Sequence, residues 1–325
     1  MAKRPSTEDA LAAIHAIRQT PEKRDLARDL APFLRHKSNH VVAAAATTAE
    51  RLETGGLAPD LVAAFERLMG NPAKLDPGCK ALIAIAQALV QMDDPAAKVY
   101  FAGIRHFQRE GSFGPPVDVA APLRGLCARG LARMGHPGAL LECVTLLADP
   151  EIPARTGAVR AIGESGRPEG VLLLRLKALL GDKEIEVVGE CFGSLFGLDP
   201  AGSVDFVAQF LKSDADGMAE QAALALGESR KAAAFPILRD AWETGGAREL
   251  RRTLLTAIAL LRVDEALEFL LERLGAESGP VAADALAGLA FYARDEAVLA
   301  RVEAIVRERG DGALEAVFAR EFRRA

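Results

Sequence analysis

The chain has 325 residues, half of them hydrophobic but only 5% aromatic, and its apolar content is mostly alanine, leucine and valine; such a composition suits closely packed helices. Forty lysines and arginines against 45 acidic residues leave a formal charge of −5, which makes nucleic acid an unlikely default partner. No apolar run approaches the roughly 18 residues of a membrane span, and "MAKRPSTEDALAAIHAI" lacks the apolar core of a signal peptide, so a soluble cytoplasmic protein with no membrane partner is expected.

From the N-terminus, "TEDALAAIHAIRQTPEKRDLARDLAPFLRH" predicts two starting helices, and the basic excess of the first 40 residues reads as a solvated cap. His36 and His40 stand four apart, a spacing that on one helix would aim two imidazoles at a metal. Ser38 and Asn39 lie between them and are natural N-cap residues, so a helix start is expected there, and no metal site is assigned anywhere in the chain. "TGGLAPDLVAAFERLMG" then reads as a divergent repeat, and residues 1–75 as divergent N-terminal repeats and cap.

Residues 76–309 repeat more regularly. Aligned on the first apolar residue after each break, the anchors are Leu140, Val171, Val204, Phe235, Leu267 and Val298, spaced 31, 33, 31, 32 and 31 residues apart. A fixed period near 32 marks a helical repeat array. Lys98 holds the anchor one unit earlier, 42 residues before Leu140, so about ten residues are inserted, and "REGSFGPPVDV" at 109–119 is where. Each unit reads as a helix from the anchor, a turn bearing Asp149, Asp182 or Asp214, and a second helix ending near Gly163, Gly197 or Gly227. The carboxylate suits that turn because it accepts from unpaired amides of the next helix, and the glycines let neighbouring helices approach closely. A phosphate cradle at these glycines is disfavoured, since no strand precedes them. Residues 310–325 read as a C-terminal cap helix, and the four cysteines, Cys79, Cys127, Cys143 and Cys191, as reduced core thiols.

"GAVRAIGESGRPEGVLLLRLKALLGD" and "CARGLARMGHPGALLECVTLLAD" resemble the bacterial HEAT-like repeats also found in phycobilin lyase subunits. The resemblance covers about residues 76–309 and implies an all-α, right-handed α-solenoid, one superhelix of about eight helix pairs whose second helices line the concave face. Tetratricopeptide repeats are the competing class, but their Trp-Leu-Gly and Tyr positions are missing. The iron hydroxylases built from HEAT repeats use His-Glu pairs, and no His-Glu dipeptide occurs here.

No nucleophile elbow or activated cysteine is visible, and no cofactor is assigned. What remains is surface. On the second helices a row runs through Thr156, Glu190, Glu220, Arg252 and Asp284, followed one turn later by Arg160, Ser194, Leu224 and Thr256. These residues are expected to form a concave contact ridge, because a solenoid repeats equivalent positions along one surface. In the insertion, Phe107, Arg109 and Phe113 either anchor a partner or fold back over a gap between repeats. The expectation is therefore a non-enzymatic scaffold binding a protein or peptide. Alternatives are a relative of the HEAT-like DNA glycosylases or another nucleic-acid binder, and a phycobilin-lyase-like protein.

Overall fold

The structure, a computed structural model, describes residues 6–23, 25–111 and 114–322. It divides into two compact units, residues 1–173 and 174–325, with the boundary inside one helix. Unit one holds α1 (Thr7–Gln19), α2 (Leu26–Leu34), α3 (Asn39–Arg51), α4 (Ala58–Met69), α5 (Pro72–Leu75), α6 (Lys80–Gln91), α7 (Ala97–Ile104), α8 (Ala121–Arg133), α9 (Ala139–Leu146), α10 (Ile152–Glu164) and the first part of α11 (Glu169–Leu180). Unit two continues with α12 (Ile185–Leu198), α13 (Ser203–Ala208), α14 (Met218–Glu228), α15 (Ala234–Thr244), α16 (Arg248–Leu261), α17 (Asp264–Ala276), α18 (Gly279–Leu289), α19 (Glu296–Arg309) and α20 (Gly312–Phe322).

Within each unit, helices pack on their neighbours in the chain and on the equivalent helix of the next repeat. In unit one, α3, α6, α8 and α10 lie against one another in succession; in unit two the same holds for α12, α14, α16, α18 and α20. The fold is thus built of HEAT-like helix pairs, in which each repeat borrows its core from its neighbours. All six anchors open or lie near the start of first helices, α9, α11, α13, α15, α17 and α19.

Local signals explain where helices begin. Ser6 accepts the Asp9 amide while Asp9 accepts the Ser6 amide, a reciprocal cap on α1. Helix α3 begins at Asn39, where those residues place a start, but the Ser38 side chain makes no capping hydrogen bond and Asn39 donates instead to Asp76 and the Pro77 carbonyl. Asp149 and Asp182 each accept the amide of the residue just before the next helix, Glu151 at 2.9 Å and Glu184 at 3.0 Å.

Two expectations change. Gly197 has open space where a side chain would stand, so helix approach does not require it, whereas a Cβ on Gly227 would overlap the backbone of Ala257. An equally tight backbone approach lies outside that phase, where a Cβ on Gly157 of α10 would overlap the backbone of Gly125 of α8. The insertion, for which no strand was expected, contains a short antiparallel hairpin, β1 (Arg109–Glu110) on β2 (Val117–Asp118), with Arg109 opposite Asp118. Two residues per strand are too few to leave an alternating pattern in the sequence.

Candidate functional site

The insertion closes over a buried polar joint in unit one. Arg124 of α8 is fully buried and all its nitrogens are engaged. It donates to both oxygens of Asp149 (2.9 and 3.0 Å), to Asp118 (2.7 Å) and to the His106 carbonyl (2.9 Å). Asp118 also accepts the amides of Gln108 and Ala120. Burial pushes the Asp118 carboxyl up, but these amides and the guanidinium outweigh it and hold the group below the ordinary carboxylate value. A second knot continues from it. Gln108 donates to the Asp76 carbonyl, and the Asp76 carboxylate accepts from Asn39 and from the amides of Ala81 and Leu82 at the start of α6.

Phe107 is 58% exposed, yet its ring lies 4.0 Å from the Arg124 guanidinium and covers it. Arg109 is exposed on β1, and Phe113 falls outside the described residues. Phe107, just ahead of the hairpin, and Asp118 of β2 thus enclose the Arg124 guanidinium from two sides.

Six of the expected ridge residues line shallow grooves between successive second helices. Thr156 and Arg160 line about 250 Å³ between α8 and α10. Glu190 and Leu224, with Glu186 and Glu228, line about 310 Å³ between α12 and α14. Arg252 and Asp284 line about 290 Å³ between α16 and α18, the Arg252 Nε lying 3.7 Å from the Asp284 carboxylate. Burial raises the Asp284 carboxyl above its usual value against the pull of Arg252 and Arg248. Ser194 and Glu220 are half-buried on α12 and α14. Thr156 and Thr256 spend their hydroxyls on carbonyls of their own helices, Ile152 at 3.1 Å and Arg252 at 3.2 Å.

A feature the ridge did not include is the solvent face of α11. Leu172, Leu176, Leu179 and Leu180 are 71, 55, 63 and 76% exposed. They recur at i, i+4, i+7 and i+8, so they form one stripe. The cations of the helix are drawn away from it: Arg175 donates to the Gly202 carbonyl at 2.7 Å and lies over Phe206, while Lys177 pairs with Asp182 at 2.7 Å. A solvated helix face normally carries charge, and this one carries leucine. On α9, Leu141 and Val144 are exposed as well. The signal in the sequence was "GVLLLRLKALLGD", which is apolar around the whole helix and so holds more leucine than one buried face can use.

All four cysteines are buried and unpaired. Burial pushes the thiols of Cys79, Cys143 and Cys191 up to about 12 and that of Cys127 higher still, so none is poised as a thiolate nucleophile. Among the described residues, no group of three His, Cys, Asp or Glu side chains converges on a point that would hold a metal, and no helix is long and apolar enough to cross a membrane.

No protein-family model matches the sequence, and no curated protein matches it. Solved structures do. One is the complex of CpcE and CpcF of phycocyanin lyase from Nostoc sp. PCC7120, at TM-score 0.36 and 18% identity, covering 75% of this chain and 94% of that one. Another is an engineered protein solved by a structural genomics consortium, at TM-score 0.36 and 17% identity, covering 92% and 88%. The first corrects one expectation. A non-enzymatic chain was expected because no catalytic constellation is visible in the sequence, but a phycocyanin lyase is among the structures this one resembles. A helical-pair scaffold does not by itself exclude an enzyme, because activity resides in sites and not in the fold.

Proposed function

We propose that this chain is a protein-binding subunit, a superhelix of about eight helix pairs that docks an apolar helix of another protein on the leucine stripe of α11. The observation that carries this reading is the stripe itself. Four leucines at 55–76% exposure present apolar surface on the order of the few hundred Å² that marks interaction sites on monomers. A helix laid along i, i+4, i+7 and i+8 contacts is a standard mode of recognition. The polar ridge of Thr156, Arg160, Glu190, Ser194, Glu220, Arg252, Thr256 and Asp284 belongs to the proposal as a further contact surface for a polar segment of a partner.

The test is affinity capture with the native chain as bait beside a Leu172→Ser/Leu176→Ser/Leu179→Ser variant whose circular dichroism is unchanged. Loss of a specific protein from the variant supports the reading; identical recoveries end it. Light scattering on the purified chain separates self-association, which the same stripe would also permit, from binding to a different subunit.

A second reading is that the chain is one subunit of a lyase-like enzyme, suggested by the structural likeness to the CpcE and CpcF complex of phycocyanin lyase. Such a subunit would meet phycocyanin directly. The expected outcome is a change in the visible absorbance of phycocyanin on mixing; an unchanged spectrum, with and without a captured partner present, rejects it.

A further inference from the structure

The groove between α16 and α18, wholly within unit two, differs from the others in its chemistry. Its floor is Trp242 of α15, 4% exposed, whose indole Nε1–H is buried and unpaired among the protein's groups. The Arg251 guanidinium stacks 4.5 Å from that ring, and its Nε is likewise buried without an acceptor. Arg248 and Arg252 line the same space, against the single carboxylate of Asp284. Buried N–H groups left without an acceptor are costly, so two of them beside one groove favour an acceptor bound there.

The backbone adds to the bias. Helix α16 starts at Arg248 behind Gly245 and Gly246, both at positive φ (90° and 139°), and neither α16 nor α18 has a side-chain cap, so the amides of two helix N-termini are not taken up by capping side chains. Gly246, at the rim, has no side chain to shield the first turn of α16. The positive end of a helix, three guanidiniums, one of them with its orphan Nε–H, and the orphan indole N–H around about 290 Å³ select a small dianion. We infer that this pocket binds a phosphate-type oxyanion, held by Arg248, Arg251 and Arg252 with the Trp242 indole N–H.

This site is independent of the α11 stripe, and either can fail without the other. Trp242 is the chain's single tryptophan, so its emission reports the pocket directly. The experiment titrates the full chain with inorganic phosphate and, separately, with a phosphoserine peptide, each against chloride at matched ionic strength. A saturable change in emission with either probe and none with chloride is expected. Tighter binding of the peptide assigns the phosphate to a protein partner, and equal or weaker binding assigns it to a free small molecule.

An Arg251→Gln/Arg252→Gln variant should lose roughly tenfold or more in affinity, as expected when charge-assisted bonds to an oxyanion are removed. Arg248→Gln, at an exposed position and therefore compatible with folding, should lose several-fold and covers the case in which the double variant does not fold. Emission that stays flat with both probes overturns the assignment. So does a folded double variant, or a folded Arg248→Gln, that binds as wild type.

Discussion

Two arginine clusters, one in each unit, answer the same physical problem in opposite ways. In unit one, Arg124 is wholly enclosed and each of its three guanidinium nitrogens is engaged, by Asp118, Asp149 and the His106 carbonyl. In unit two, Arg251 stacks on Trp242 and keeps an unmatched N–H beside an unmatched indole. The saturated cluster has no capacity left for a ligand and works as a joint. The unsaturated one has donors to spare and works as a receptor. Counting satisfied donors, more than counting charges, separates structure from function.

The contrast is most exposed to refutation at Arg124. Arg124→Met strands two buried carboxylates and should cost about 3–5 kcal/mol in urea unfolding, as loss of one member of a buried ion cluster does. A cost below about 1 kcal/mol would mean the joint is no more structural than the pocket. Steric fullness offers a second comparison. Gly227→Leu, pressed against Ala257, should lose about 1–3 kcal/mol by overpacking, whereas Gly197→Ala, in open space within α12, should gain up to about 1 kcal/mol of helix propensity. Equal effects at the two glycines would show that their common phase in the repeat, and not local clearance, decides. Arg251→Met should then cost under about 1 kcal/mol, the value of a cation–π contact near the surface. Leu176→Ser should change stability by less than about 0.5 kcal/mol, because the residue faces solvent.

Acid sharpens the same contrast. Asp118 sits below the ordinary carboxylate value of 3.8 in the native state, so the unfolded chain takes up its proton first as pH falls. The stability it contributes is complete above about pH 4–5 and disappears as pH drops through its lower native value. Asp118→Asn should flatten the acid limb of a stability–pH curve measured by urea unfolding; an unchanged limb would place the acid sensitivity elsewhere. Asp284 is shifted the opposite way, so the native state takes up its proton first and the change opposes the loss on that limb.

Much of the architecture was legible because it is repetitive. The period near 32 located the first helices, and Asp149 and Asp182 sat in the predicted turns with the predicted hydrogen bonds. The rest depended on contacts far apart in the chain. Arg124 meets Asp149 across 25 residues, and the pocket at Trp242 closes only when Pro280 and Asp284 arrive from the following helix. Neither leaves a local pattern. The α11 stripe was written in the sequence as surplus leucine, but only the packing shows which of those leucines the core declines.

The four buried thiols have a use beyond their inertness. Cys79 precedes α6, Cys127 lies on α8, Cys143 on α9 and Cys191 on α12, so they sample successive repeats. A thiol reagent can reach each one only when its own segment opens, and opening free energies differ along a repeat array. The order in which the four are labelled is therefore a readout of where the array breathes, written into the native chain without any added probe.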